Sequence, residues 1–492
     1  MELKQLQNGS DIRGIAMEGI QGQSVNLTPE AVYLLARGFE SWLKEKTQKD
    51  KVKIAVGHDS RLSADILQQA IMDGLVFDGA NVLDCDLAST PSMFMACIFD
   101  EFDADGSIMI TASHLPFNRN GMKFFYKGGG LDKEDVAAII EKAENEAFLG
   151  GKDGTIEKVD LMKVYSAHLV HLIKEGVNAK EYDKPLSDLH IVVDAGNGAG
   201  GFYVDQVLEL LGANTSGSQF LEPDGHFPNH IPNPEDKEAM ESICSAVKEN
   251  KADLGIIFDT DVDRSAAVDE NGNPISRNAI VALASVLAAE NHEGTTVVTD
   301  SVTSDELNAF LKSKGINHLR FRRGYKNVIN KGLKLNRQGI DCQLAIETSG
   351  HAAFKENYFL DDGAFLATKI IIQAAKSSIS DLISELKYPL ESKEIRAGIL
   401  EEDFKKYGAK VIEEFKNYTQ RFGYITPAKD NYEGWRINFD KEHGDGWILM
   451  RLSLHEPLLP INIESKSQGG VEKMEAWLKK FLDRYNLDKK SY

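Results

Sequence analysis

Short apolar runs rich in β-branched residues alternate along this chain with longer stretches whose apolar positions recur at helical spacing. The runs are "KIAV" from Lys53, "SIMI" from Ser107, "HIVVDAGNGAG" from His190, "LGIIF" from Leu254, "TTVV" from Thr295 and "CQLAIE" from Cys342. Continuous apolar runs of this length predict strands covered on both faces, in a parallel or mixed sheet. The stretches between them predict helices over Pro29–Lys44, Ser63–Phe77, Leu161–Lys174 and Asn278–Ala289.

The pattern also repeats. Three times a strand ends in a small polar loop: "GHDSR", "DAGNGAG" and "TDSVTS". Roughly fifty or sixty residues later, each time, a second run ends in a denser polar loop: "TASH" at Thr111, "DTDVDR" at Asp259 and "ETSGH" at Glu347. This predicts three similar α/β domains with mixed sheets, each presenting one loop at a strand's C-terminal end, where open α/β sheets bind ligands. After Ser380 the texture changes. The alternation in "WRINFDKEHGDGWILMRLSL" predicts a hairpin turning through His443–Gly446, and a helix follows from Gly470. The expected organisation is 1–155, 156–273 and 274–390 as α/β domains and 391–492 as a smaller α+β domain.

Length agrees with several domains, since 492 residues are far more than one core of about 100–200 residues needs. The formal charge of −20 argues against a nucleic-acid or anionic-membrane surface, both of which need clustered Lys and Arg. It leaves room for a local basic pocket that takes an anionic metabolite. Cys85, Cys97, Cys244 and Cys342 lie far apart, with no paired Cys/His spacing for zinc, and read as reduced thiols. The opening "MELKQLQNGSD" has no apolar core of a signal peptide, and no run approaches the roughly 18–20 residues of a membrane span. A cytoplasmic protein is expected; an organelle form without its transit peptide would read the same.

The polar loops narrow the chemistry. Asp259, Asp261 and Asp263 alternate directly after a strand, and three carboxylates so close repel unless a cation such as Mg²⁺ holds them. A solvated acidic turn is the plain alternative. A calcium loop of the EF-hand type is another, with Glu270 in twelfth position, but Arg264 stands where that loop needs Gly. A third is an aspartyl-phosphate phosphatase using Asp259. In "TASHLPFNRNGMKFF", Ser113 either does chemistry at the strand rim or ties a turn. Adjacency does not make His114 its catalytic partner. Lys123 follows an expected Asn120–Gly121 turn that would fold it back towards Ser113, as acid, base or charge clamp. In "ETSGH", Glu347 and Ser349 can face the hydroxyls of one sugar.

"DIRG" at Asp11, "TASHLPFNRNGMKFF", "VVDAGNGAG", "EPDGHFPNHIPNPE" at Glu222, "DTDVDR" and "ETSGH" occur in this order. Together they resemble the α-D-phosphohexomutase superfamily, the phosphomannomutase/phosphoglucomutase group, over nearly the whole chain. The resemblance implies four domains around a central cleft, a phosphoserine at Ser113, and Mg²⁺ held by Ser113, Asp259, Asp261 and Asp263. It places Arg13, His114, Lys123 and Arg264 around the phosphoryl group or in proton transfer. It makes Glu347, Ser349 and His351 sugar contacts, and "RRGYKNV", with Gly324, Tyr325 and Lys326, the loop that distinguishes the two faces of the sugar. The implied activity interconverts hexose 1-phosphate and 6-phosphate, of mannose or glucose, through a hexose 1,6-bisphosphate that also serves as activator. The implied partners are small hexose phosphates, without nucleic acid or membrane, and the implied state is a monomer or homodimer. A sugar-phosphate-binding regulator with impaired mutase activity is the other reading, because one motif departs. Where the family carries Arg-x-Ser-Gly-Thr-Glu-Pro and a later Arg, this chain has "RLSLHEPLLPIN". Arg451 and Ser453 persist, Leu454 replaces Gly, His455 replaces Thr, and Pro460 stands at the later Arg. Arg451, Ser453 and His455 are expected to hold the non-reacting phosphate. Leu115 replaces the Asn usual after Ser-His.

Overall fold

The computed structural model describes residues 2–453 and 456–492, and its contacts divide the chain into two compact units. The first comprises Met1–Leu287 and Ser349–Ile383, the second Ala288–Thr348 and Ser384–Tyr492.

In the first unit the apolar runs become strands for the reason the pattern suggested: each is covered on both faces. Lys53–His58 pairs in parallel with Asn81–Leu87 and with Gly106–Ile110. Gly106–Ile110 then pairs antiparallel with Arg119–Tyr126, which pairs antiparallel with Asp11–Ile15. The sheet is mixed, and every residue of Gly106–Ile110 is buried. Helix Pro29–Thr47 begins with Pro at its first position and Thr28 accepting from the Ala31 N–H. It packs on Ala64–Phe77 and Lys133–Glu144, and Phe39, Trp42, Val56, Ile108 and Phe124 share one core. A second sheet pairs Ile191–Asp194 parallel to Leu254–Phe258, which turns back antiparallel through Ser265–Val268. Helix Lys237–Asn250 covers it, its N-terminus capped by Asp236.

The Asn120–Gly121 turn does not exist. Both residues lie inside strand Arg119–Tyr126. Gly121 is there because the strand passes so close to its neighbour that a Cβ would strike the Ile12 carbonyl oxygen. The local hairpin signal loses to a tertiary contact.

In the second unit Thr296–Thr299 lies parallel between Asn317–Arg320 and Cys342–Ile346. The C-terminal sheet is antiparallel, in the order Glu391–Gly398, Leu458–Ser465, Gly446–Met450, Trp435–Phe439, Ile425–Pro427. Helices Phe404–Thr419 and Gly470–Leu482 share its core, and the expected hairpin joins Trp435–Phe439 to Gly446–Met450. Buried Arg436 ties this sheet to the parallel strands of the same unit. It donates to the Ser301 and Thr303 carbonyls and to Asp305, and stacks 3.6 Å over Trp447. The three α/β sheets and the smaller α+β sheet are those the sequence pattern led us to expect. Among the described residues no helix is long and apolar enough to cross a membrane.

Candidate active site

Strand Gly106–Ile110 delivers the loop that carries Ser113. The Thr111 hydroxyl accepts the Ser113 N–H at 2.8 Å, closing a tight turn. Ser113 is left with φ 50°, a left-handed conformation that a non-glycine residue holds only when its surroundings impose it. Arg13 donates to the Thr111 carbonyl and to Asp11 at 2.9 Å, so it braces the loop from the next strand but one. The Ser113 hydroxyl donates to Asp259 Oδ2 at 3.1 Å and accepts from Arg264 Nη2 at 3.0 Å. The same Nη2 donates to His114 Nδ1 at 2.8 Å, while Nε donates to Asp259 at 3.0 Å and Nη1 to Asn233 Oδ1 at 3.0 Å. An arginine always donates, so His114 Nδ1 is a lone pair already engaged. Although the residue is exposed, the protein on one side of its ring takes water away and, with the Arg264 and Arg13 charges, lowers the His114 pKa to about 3. His114 is therefore a neutral imidazole whose acceptor nitrogen is committed to Arg264.

Strand Leu254–Phe258 delivers the second loop. Its backbone is also unusual: Val262, a β-branched residue, has φ 65°. Several contacts hold it. Ala199 N–H donates to the Thr260 carbonyl at 2.8 Å, which gives "DAGNGAG" a structural task beneath the aspartates. Thr90 donates to the Asp261 carbonyl from its N–H at 2.8 Å and to Oδ2 from its hydroxyl at 2.5 Å. Lys123 Nζ donates to Asp261 Oδ2 at 3.2 Å and to Asp263 Oδ2. The lysine of the Ser113 segment thus reaches the aspartates; it does not fold back from a turn.

Asp259, Asp261 and Asp263 are all buried, with one carboxylate oxygen of each within 4.8 Å of the others. Asp261 Oδ1 and Asp263 Oδ1 have no hydrogen-bond partner. Burial and the Asp263 charge push the Asp259 pKa well above the ordinary range. Burial acts the same way on Asp263, but Lys123, His351 and Arg264 outweigh it and hold that carboxyl well below the range. Asp261 is also lowered, with Lys123 and the Thr90 hydroxyl opposing burial and the neighbouring charge. Buried anionic oxygens without partners are costly. Hard, oxygen-only donors at this spacing fit a small divalent cation. Glu270, the twelfth residue of the calcium-loop alternative, instead accepts from Ser378 and Ser380.

Of the third loop, Ser349 and His351 belong to the first unit. Ser349 Oγ lies 2.8 Å from His351 Nδ1, and His351 Nε2 is 3.6 Å from Asp263. Burial, with Arg264 and Lys123, lowers the His351 pKa to about 3 against the pull of Asp263. Glu347 belongs to the second unit, where it accepts the Gly324 N–H at 2.7 Å. Gly324, at φ 110°, is the N-cap of helix Tyr325–Arg337, so Tyr325 and Lys326 open that helix, both half-buried. Arg451, also in the second unit, is half-buried with its Nε enclosed and unpartnered. Burial, then the charge of Arg323, lowers its pKa. Ser453 Oγ accepts the Glu456 N–H at 3.2 Å. His455 and Leu454 lie outside the described residues.

The structure brings Ser113, His114, Lys123, Arg264, the three aspartates and His351 into direct contact, with Arg13 behind them. Arg61, Thr90 and Asn233 support that group; Arg61 and Asn233 stand inside the quoted "GHDSR" and "EPDGHFPNHIPNPE" but were given no role there, and Thr90 is an ordinary polar residue at a helix start. A half-buried hydroxyl set among arginine, lysine, imidazole and three carboxylates is the equipment of a phosphotransferase, a protein of the mutase class. Three family models agree with this. Those described as phosphoglucomutase/phosphomannomutase, alpha/beta/alpha domains I, II and III, match residues 4–149, 163–272 and 276–388. A phosphoglucomutase/phosphomannomutase of Thermococcus kodakarensis is 33% identical over 93% of this chain and 94% of its own. A phosphomannomutase of Vibrio cholerae is 31% identical over 91% and 93%, and a phosphoglucomutase of Neisseria gonorrhoeae 29% over 96% and 95%. The crystal structure of a phosphoglucomutase/phosphomannomutase family protein from Burkholderia thailandensis shares the fold, with a TM-score of 0.81 at 24% identity over 99% of this chain and 100% of that one. The chain belongs to the phosphoglucomutase/phosphomannomutase family.

Proposed function

We propose that this chain interconverts the 1- and 6-phosphates of mannose or glucose, with phospho-Ser113 as the carrier and hexose 1,6-bisphosphate as intermediate and activator. The observation that carries the reading is the Ser113 hydroxyl, held in a strained turn and gripped at once by Asp259 and Arg264. Phospho-Ser113 gives its phosphoryl group to the free hydroxyl of a hexose phosphate. The P–O bond to Ser113 breaks, a P–O bond to the sugar forms, and the proton released by the sugar hydroxyl is balanced by the one Ser113 Oγ regains. The bisphosphate then returns its other phosphate to Ser113.

Arg264 Nη2, which also donates to His114, donates to the atom on which negative charge develops as the bond to Ser113 breaks, and its Nε and Nη1 are fixed in advance by Asp259 and Asn233. Lys123 donates to Asp261 and Asp263 and adds positive charge beside them. Ser113 and the three aspartates would hold Mg²⁺, which when bound neutralises phosphoryl oxygens. Arg13 keeps the Ser113 turn closed. We assign the sugar hydroxyls to Glu347, Ser349 and His351, and the choice of sugar face to Gly324, Tyr325 and Lys326. Arg451 and Ser453 take the non-reacting phosphate. We retain 1–155, 156–273, 274–390 and 391–492 as the working domains. The four free cysteines fit a reducing, cytoplasmic setting.

Mass mapping tests the carrier: acid-stable phosphate is expected on Ser113, and acid-labile phosphate on Asp259 would mean a phosphatase. A panel of mannose, glucose and N-acetylglucosamine 1- and 6-phosphates then ranks the substrates, with turnover expected on the first two.

A further inference from the structure

The motif "EPDGHFPNHIPNPE" supplies none of the groups assigned above to the reaction, and the loop "GHDSR" contains a buried arginine that the mechanism does not use. They meet. Arg61 is 2% exposed, and both terminal nitrogens of its guanidinium donate to the backbone of the serine loop. Nη1 donates to the Pro116 and Arg119 carbonyls, both at 2.9 Å. Nη2 donates to the Leu115 carbonyl at 2.6 Å and to the carbonyl of Ser113 itself. Asp59 fixes the other end, accepting the Arg61 N–H at 3.0 Å with its second oxygen 3.5 Å from Nε. One planar fork thus sets the path of four carbonyls from residue 113 to residue 119.

The motif covers this arginine. The Phe227 ring lies 5.3 Å from the Arg61 guanidinium carbon. Gly225 passes so near that a Cβ there would lie 2.9 Å from Arg61 Cα. Six residues after Phe227, Asn233 accepts from Arg264, the side chain that donates to Ser113 Oγ. The segment therefore touches both supports of the serine: Arg61, which holds its backbone, and Arg264, which holds its hydroxyl.

We infer that Arg61, covered by Phe227, is a positioning residue for Ser113, and that segment 222–233 keeps the backbone and hydroxyl supports of that serine in register. The inference rests on Ser113 as the phosphoryl carrier. A reacting atom displaced by about 1 Å loses on the order of 100-fold in rate, and the left-handed Ser113 stays in place only through the contacts that hold its loop. Lysine cannot replace this arginine, because three donors on a tetrahedral nitrogen do not span a planar set of four carbonyls.

The test compares Arg61→Lys and Phe227→Leu with wild type, as full-length proteins, at a temperature where circular dichroism shows each to be folded. For Arg61→Lys, kcat should fall about 30- to 300-fold while KM for the hexose 1-phosphate moves by less than about threefold. For Phe227→Leu, kcat should fall about three- to tenfold with KM unchanged. The two losses should combine to less than their product, since both act through one guanidinium. A residue that only stabilises the fold would shift the melting temperature and leave kcat of the folded enzyme alone. Folded Arg61→Lys with wild-type kcat overturns the inference; if that variant does not fold, wild-type kcat in Phe227→Leu overturns it. Phosphate on wild-type Ser113 separates the two claims. Its absence defeats the carrier, whereas its presence beside normal turnover in these variants defeats only the positioning role.

Discussion

The Ser113 centre of the first unit and the Arg451–Ser453 loop of the second, each proposed above to hold a phosphate, are built in opposite ways. At Ser113 the side chains are cross-braced, with only one oxygen each of Asp261 and Asp263 left without a hydrogen bond among the three aspartates, Arg264 and Lys123. Arg264 spends three nitrogens on four partners, Asp261 is gripped by Thr90 and Lys123, and two residues, Ser113 and Val262, are held in left-handed backbone. At the other loop Arg451 keeps an unpartnered Nε, Ser453 accepts the Glu456 N–H and donates its own N–H to the Leu458 carbonyl, and Glu456 is exposed and paired to exposed Arg396. Chemistry needs atoms placed to within fractions of an ångström, so the reacting centre pays in strain for rigidity. Anchoring a phosphate that does not react tolerates looser placement than the reaction does.

The sharpest way to break this contrast is Ser113→Ala. Turnover should fall by on the order of 10⁴-fold or more, with the melting temperature unchanged or raised as the strained turn relaxes. A variant that still turns over would remove the serine from the account. Next in size is Asp261→Asn, which keeps the shape of the side chain and removes a charge. Mg²⁺ titration of activity should shift to higher concentration and kcat should fall on the order of 100-fold. Superimposable titrations would mean the loop is only an acidic turn. The distal side should respond differently: Arg451→Ala should raise KM for a hexose 1-phosphate about 10- to 50-fold and change kcat far less. An equal loss in kcat would show that this loop, too, is part of the reacting centre.

The smallest effect lies at the far end of strand Leu458–Ser465, which leaves the distal loop. Burial raises the Glu464 pKa to about 7 against the attraction of Arg436, with Glu306 adding to the rise. The folded state thus keeps a proton that the unfolded chain gives up near 4.5, so this group's contribution is fully present below that pH and is lost as pH rises through about 7. Melting temperature should fall between pH 5 and 8, and Glu464→Gln should flatten the fall. Parallel profiles would show that Glu464 is ionised throughout.

What the sequence disclosed follows from how local each feature is. "SIMI" and "LGIIF" announce buried strands because they are nearly all apolar, and the polar loops behind them announce a site at the strand ends. The aspartates could be read as a metal loop because all three stand within five residues of each other. Arg61 could not be read, since its acceptors lie 52 to 58 residues further on. Thr90 is 171 residues from Asp261. Asn120–Gly121 was misleading for a related reason: a dipeptide that favours a turn lies in a strand because a neighbouring strand needs the space a side chain would fill.

The measurement closest to the centre of the account is the fate of phosphate on Ser113. The protein would be labelled with ³²P from hexose 1,6-bisphosphate, freed of excess reagent, and mixed rapidly with unlabelled hexose 1-phosphate and Mg²⁺. The label should sit on Ser113 in acid-stable form and leave for the sugar at a rate no slower than kcat. Label that stays on Ser113 while turnover proceeds, or that sits on Asp259 in acid-labile form, would contradict it.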